Sequence, residues 1–196
     1  MHTNNLFSET TKNEILTIKN DHVNEKIGFT CSCFDFLHAG HSIMLEDAKR
    51  NCDILVVGLQ TDPTIDRDTK NKPIQSYTER LIMLKSIRYV DYVVKYTTED
   101  DLINILKYMK PDVRILGSDW IGHNYTGVEL DITIYFHERA HDYSSSNLGK
   151  KIYEQEKQRQ YEFYKFTCKF IKLFFGPTNG KFFDKIYIIV CRIKMN

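Results

Sequence analysis

A chain of 196 residues is long enough for one domain with a full core and an appendage. Apolar residues make up 42% and charged ones 27%, and a net charge of +1 excludes a general electrostatic pull toward nucleic acid or an anionic membrane. No apolar run approaches a bilayer span, and the cysteines at 31, 33, 52, 168 and 191 form neither paired zinc spacing nor a disulfide framework, so reduced thiols in a cytoplasmic protein are expected.

Residues 1–25 are polar and rich in Asn, Thr and Lys. They are expected to be a tail or a frayed helix, with too little apolar surface to offset ordering. From Ile27 the pattern changes. "IGFTCSCF" alternates Ile27, Phe29, Cys31 and Cys33, which predicts a strand. "HSIMLEDAKRN" has helical spacing, and "DILVVGLQ" is a continuous apolar strand of the kind buried on both faces of a parallel sheet. A charge-mixed loop follows. "SYTERLIMLKSI" then reads as a helix with Ser76 or Thr78 as cap, "VDYVV" as a short strand, and "TEDDLINILKYM" as an acid-first helix halted before Pro111. "DVRILG" and "DITIYF" are the last strands of this run, and "SSSNLGKKIYEQEK" opens a final helix. The core domain is expected over 26–155, with a basic, aromatic extension over 156–196.

Strands that alternate with helices predict an α/β fold: a Rossmann-like, doubly wound parallel sheet with right-handed crossovers. Such sheets bind ligands beyond the carboxyl ends of their strands. Polar groups stand there: His38 and His41 after the first strand, Asp62 after the second, Asp119 after the fourth and Arg139 after the fifth.

The stretch "CFDFLHAGH" is open to three readings. A metal site needs further ligands, and His123, His137 and His141 show no ligand spacing. A helix cap explains one histidine but leaves Gly40 in the first helical turn, where glycine costs about 0.5–1 kcal/mol relative to alanine. A phosphate site explains all three: a helix N-terminus with free N–H groups, a glycine that admits a bulky group, and two imidazoles one turn apart.

These residues resemble the H-x-G-H motif of the nucleotidyltransferase superfamily. "SIRYVDYVV" resembles the R-Y-V-D segment of cytidylyltransferases. "RAHDYSSSNLGKKI" stands where that family has its closing R-x-x-G-I-S-T-T motif, and "GSDW" is similar to a segment of bacterial glycerol-3-phosphate cytidylyltransferases. Together they cover about residues 27–155. The resemblance implies transfer of CMP from CTP, or AMP from ATP in an adenylyltransferase of the same fold, to a small phosphorylated acceptor such as glycerol 3-phosphate; a non-catalytic nucleotide binder is the rival of another class. Mg²⁺ would arrive with the triphosphate, with no metal site of the chain's own, and a homodimer is implied.

The resemblance also implies roles. His38 and His41 would stabilise the transition state, with Lys70 from the charged loop. Cys33, Phe34, Gly40, Gly117, Asp119, Arg139, Ser144, Ser145 and Ser146 would bind the nucleotide, and Asp35, Lys72 and Arg88 the acceptor. Each has a plainer reading. The serines cap a helix, a basic loop is solvated, and Arg88 pairs with Asp91 three residues on. Asp119 and Trp120 shape a pocket, or Trp120 fills the sheet edge. Ser32–Cys33 replace the family's threonine or glycine, and Ala140, Asp142 and Tyr143 depart from the closing motif, which touches specificity more than chemistry. In the extension, "YEFYKFTCKFIKLFFG" sets Lys165, Lys169 and Lys172 on one stripe and Phe163, Phe166, Phe170 and Phe174 on other faces. Such a helix packs on its own domain or a partner more often than on a membrane surface. "GPTNG" ends it, and "KIYIIVCRIK" reads as a strand.

Overall fold

The computed structural model describes residues 9–175. The strand proposed in "KIYIIVCRIK" and the "GPTNG" break lie outside them, as do the side chains of Lys172 and Phe174. Five strands, β1 (Ile27–Ser32), β2 (Ile54–Gln60), β3 (Tyr92–Tyr96), β4 (Val113–Gly117) and β5 (Ile134–His137), form one parallel sheet in the order β3-β2-β1-β4-β5. The chain winds outward from β1 to β2 and β3, then returns to the far side of β1 with β4 and β5. The switch point therefore lies between β1 and β4, where Gly28 and Phe29 pair with Val113 and Arg114.

The helices are α1 (Glu9–Asp21), α2 (Ala39–Arg50), α3 (Tyr77–Lys85), α4 (Glu99–Met109) and α5 (Ser145–Phe175). Leu45 and Ala48 of α2 and Leu84 of α3 cover one sheet face with Leu55, Val57, Leu59 and Ile115. Ile15 and Ile18 of α1 and Leu102, Ile105 and Met109 of α4 cover the other with Phe29, Val56 and Val94. Ser76 caps α3 by accepting from the Glu79 amide, and Thr98 caps α4 by accepting from the Asp101 amide. Helix α4 ends on Lys110 in the left-handed conformation, φ 46°, just ahead of Pro111.

The N-terminal expectation needs correcting. Residues 9–21 are not a tail: α1 is part of the core, with Ile15 fully buried and Ile18 4% exposed. Two isoleucines three residues apart are enough, because α4 and β3 supply the apolar wall they lie against.

The chain divides into two compact units, 1–145 and 146–196. The described part of the second is α5, which carries exposed Phe163, Phe166 and Phe170. Lys165 lies 4.6 Å from the Tyr161 ring and 3.7 Å from Glu162. Among the described residues no helix is long and apolar enough to cross a membrane.

Candidate active site

Beyond the carboxyl end of β1 the chain makes a tight, strained passage into α2. Phe34 and Phe36 both hold positive φ, 51° and 49°, a conformation that costs an aromatic residue about 1–3 kcal/mol. Burial of the Phe34 ring, 1% exposed and 5.1 Å from the His41 ring, helps offset that. Asp35, between them, accepts from the amides of Ile74 and Gln75 at 3.0 Å each, while its carbonyl accepts from the Ser145 hydroxyl at 2.7 Å. The Asp35 carboxylate therefore clamps the loop after β2 to the loop after β1, and the Ser145 hydroxyl proton is already donated. Asp35 was expected to bind the acceptor and Ser145 the nucleotide; in the structure the Asp35 carboxylate and the Ser145 hydroxyl bond to the chain's own backbone.

His38 is the N-cap of α2 and His41 its third residue. Gly40 N–H donates to His38 Nδ1 at 3.1 Å, and His38 N–H donates to His41 Nδ1 at 3.4 Å. The rings stack with centroids 3.9 Å apart. A ring nitrogen that accepts carries no proton, so both imidazoles are neutral with the proton on Nε2. The electrostatics agree. Burial, the adjacent His38 and Arg139 push the His41 pKa down to about 3. Burial, Arg139 and His141 lower that of His38. Capping and phosphate binding are thus the same device here: the Nδ1 atoms cap the helix, and the cap fixes Nε2–H as a donor.

Gly40 is also demanded by the chain's own packing. A Cβ there would meet His141 Cε1 at 2.7 Å and His38 Cε1 at 3.0 Å. His141 is a third histidine of the site, and both its ring nitrogens are buried without a hydrogen-bond partner.

Arg139 joins this group. Its amide donates to Ser118 Oγ at 3.3 Å and its guanidinium to the Tyr143 carbonyl at 2.9 Å. Ser144 precedes α5 directly, and Ser146 falls in the second unit.

A cavity of about 290 Å³ opens among the strand ends, bounded by Cys33, Gln60, Arg67, Lys70, Asp119 and Trp120. Gly117 is where a Cβ would meet Asp119 Oδ1, so the glycine makes room for that carboxylate. Lys70 is one of its lining residues. Lys72 is exposed near Asp62, whose carboxyl the Thr64 hydroxyl and amide, and then Lys72, hold below the usual carboxylate range.

Arg88 is not brought here. It precedes β3 at the opposite edge of the sheet, where the Asp91 amide donates to Leu55 at the start of β2. The Arg88–Asp91 ion pair is absent too. Arg88 donates to Tyr89 Oη at 2.6 Å, and Asp91 pairs with Lys49 at 2.5 Å.

The sequence reading missed Arg80. This residue of α3 is 2% exposed and donates to the carbonyls of Cys33 (2.6 Å), Gln60 (2.7 Å) and Thr61 (2.5 Å). It ties the ends of β1 and β2 beneath the site. The signal was available: Arg80 shares the inward face of α3 with Tyr77, Leu81 and Leu84.

A neutral imidazole pair on a helix N-terminus, a nearby guanidinium and a basic-rimmed cavity, all at the switch point of a parallel sheet, define a nucleotidyltransferase. The chain belongs to the cytidylyltransferase-like family, whose model matches residues 29–172. It is 41% identical over 133 residues to the bifunctional protein HldE of Helicobacter pylori, covering 67% of this chain and 28% of that protein. It is 34% identical over 149 residues to the bifunctional protein HldE of Campylobacter jejuni, covering 74% of this chain and 32% of that one. The chain thus spans about a third or less of these relatives. In fold it is similar to pantoate-beta-alanine ligase from Francisella tularensis (TM-score 0.52, 17% identity, 70% of each chain) and pantothenate synthetase from Thermus thermophilus (TM-score 0.51, 13% identity, 68% of this chain and 65% of that one).

Proposed function

We propose that the chain transfers a nucleoside monophosphate from a magnesium–triphosphate complex to a phosphorylated sugar. An acceptor phosphate oxygen attacks the α-phosphorus in line, the bond to the bridging oxygen of the β-phosphate breaks, and pyrophosphate leaves with that electron pair. The observation that carries this reading is the capping box that holds two Nε2–H donors neutral at one helix terminus. Donors fixed in advance stabilise charge as it builds on the transferring phosphoryl oxygens. Arg139 adds a guanidinium for the departing phosphates. The acceptor is already an anion, so no side-chain nucleophile is required. Magnesium belongs to the substrate in this scheme. Phosphate oxygens and water would hold it.

For the donor we adopt ATP, which the likeness to HldE proteins over two thirds of the chain favours. CTP is the second reading, favoured by "RYVD" and "GSDW". The test is a panel of triphosphates scored by the rise in melting temperature, followed by pyrophosphate release with sugar 1-phosphates, glycerol 3-phosphate, phosphocholine and phosphoethanolamine. ATP alone stabilising the chain, with turnover on a sugar phosphate, is the expected result. CTP alone moves the donor to the second reading. No stabilisation and no pyrophosphate with any pair sinks nucleotidyl transfer. The homodimer and cytoplasmic residence implied by the resemblance accompany this proposal, and a dimer would elute at roughly twice 23.2 kDa.

A further inference from the structure

A buried guanidinium lines the cavity with a backbone carbonyl and the Cys31 thiol against it but, among the described residues, no carboxylate partner. Arg114 sits in β4 between Val113 and Ile115, in the middle of a sheet, and is 2% exposed. Arginine is rarely buried so fully without a partner. Among the described residues no carboxylate forms an ion pair with it. One terminal nitrogen donates to the Thr126 carbonyl at 2.5 Å, and the Tyr125 ring lies 5.5 Å from the guanidinium carbon. Nε has no hydrogen-bond acceptor at all.

The other charged groups of the cavity do not answer it. Three cations, Arg67, Lys70 and Arg114, share it with two carboxylates, Glu99 and Asp119. Glu99 is taken on both oxygens: Oε1 pairs with Arg67 Nε at 3.2 Å and Oε2 accepts from the Thr126 hydroxyl. The Asp119 carboxylate turns back over Gly117. A buried guanidinium presents a planar fork suited to a carboxylate or a phosphate. The Thr126 contact alone explains an arginine that tethers a loop. It does not explain a cation lining a cavity with an orphaned donor.

We propose that Arg114 selects an acceptor carrying a second acidic group, a carboxylate or a further phosphate, distal to the phosphate that attacks. This rests on the reading above that the acceptor is phosphorylated, and it adds that the acceptor reaches into this cavity beside the nucleotide. The attacking phosphate stays near His38 and His41, and the second anion reaches inward past Trp120 to β4. The distinction is one of substrate class: a plain sugar monophosphate leaves Arg114 unanswered, and a doubly acidic one satisfies it.

Trp120 is the sole tryptophan of the chain and lines this cavity, so its fluorescence reports binding there without need of turnover. The full chain is titrated with matched probes: glucose 1-phosphate against glucuronic acid 1-phosphate, which adds one carboxylate, and against glucose 1,6-bisphosphate, which adds one phosphate. Expected is binding of at least one doubly acidic probe tighter by about tenfold or more, and loss of that preference in Arg114→Met with glucose 1-phosphate affinity unchanged. Arg114→Lys should restore part of it. Which probe gains tells carboxylate from phosphate. Equal affinities in the wild-type chain overturn the proposal, as does a folded Arg114→Met that keeps the preference. If Arg114→Met does not fold, the wild-type comparison decides alone. Absence of pyrophosphate release from every donor and acceptor pair would count against nucleotidyl transfer, whereas the tryptophan titration judges the cavity independently.

Discussion

His38 and His41 hold each other in one protonation state. Each ring accepts a backbone N–H on Nδ1, and the rings stack at 3.9 Å, so neither can gain a second proton without breaking a cap or placing like charge against its neighbour. Burial and the neighbouring cations thus bias both rings toward the neutral form.

Loss of a donor should separate from loss of a cap. His38→Asn keeps a side chain that caps helices well, so its melting temperature should stay near wild type while pyrophosphate release falls about 10²–10³-fold. His38→Ala should show the same kinetic loss and destabilise the protein by about 1 kcal/mol as well. His41→Ala with wild-type turnover would refute the catalytic assignment.

The depressed His41 pKa has a signed consequence for stability. Above pH 6.5 the ring is neutral both folded and unfolded, so it contributes no pH dependence. As pH falls from about 6.5 toward 3, the unfolded chain takes up a proton that the folded site refuses. Stability then drops by up to about 1.4 kcal/mol per pH unit from this group. Urea unfolding of wild type and His41→Asn at pH 7, 6, 5 and 4 checks it: the two should differ in slope below pH 6.5, with the variant the flatter.

Arg80→Met should be costly well out of proportion to its place on a helix. It strands three carbonyls at the ends of β1 and β2. With hydrogen bonds from a charged donor contributing about 1.5–3 kcal/mol each, the loss should be about 3 kcal/mol or more by urea unfolding. Triphosphate affinity should fall with it, because Cys33 leads directly into the histidine loop.

The first helix offers a contrast between neighbours. Ile15→Ala empties a fully buried position and should destabilise by about 2–5 kcal/mol. Leu16→Ala, at 45% exposure, should stay within about 0.5 kcal/mol of wild type. Equal effects would mean α1 does not belong to the core.

Much of this architecture could be read from residue order. β-branched runs such as "DILVVGLQ" mark strands buried on both faces, and polar residues just after them fall on one edge in any parallel sheet. That is the ground on which His38, His41, Asp62, Asp119 and Arg139 are expected at one edge. What stayed hidden depends on partners far along the chain. Asp91 bonds Lys49 in place of Arg88, which no local spacing reveals. Helix α1 looked too polar because its burial is decided by the wall α4 provides. Arg80 and Arg114 were legible in principle, each a cation in a position the pattern reserves for an apolar residue.

His141 resting on Gly40 changes what an alanine at position 40 would teach. A methyl there collides with an imidazole from the far end of the domain before any nucleotide arrives. An inactive Gly40→Ala enzyme would thus report a dislodged closing segment, and only its recovery on shrinking His141 to alanine would tell displaced architecture from a blocked ligand.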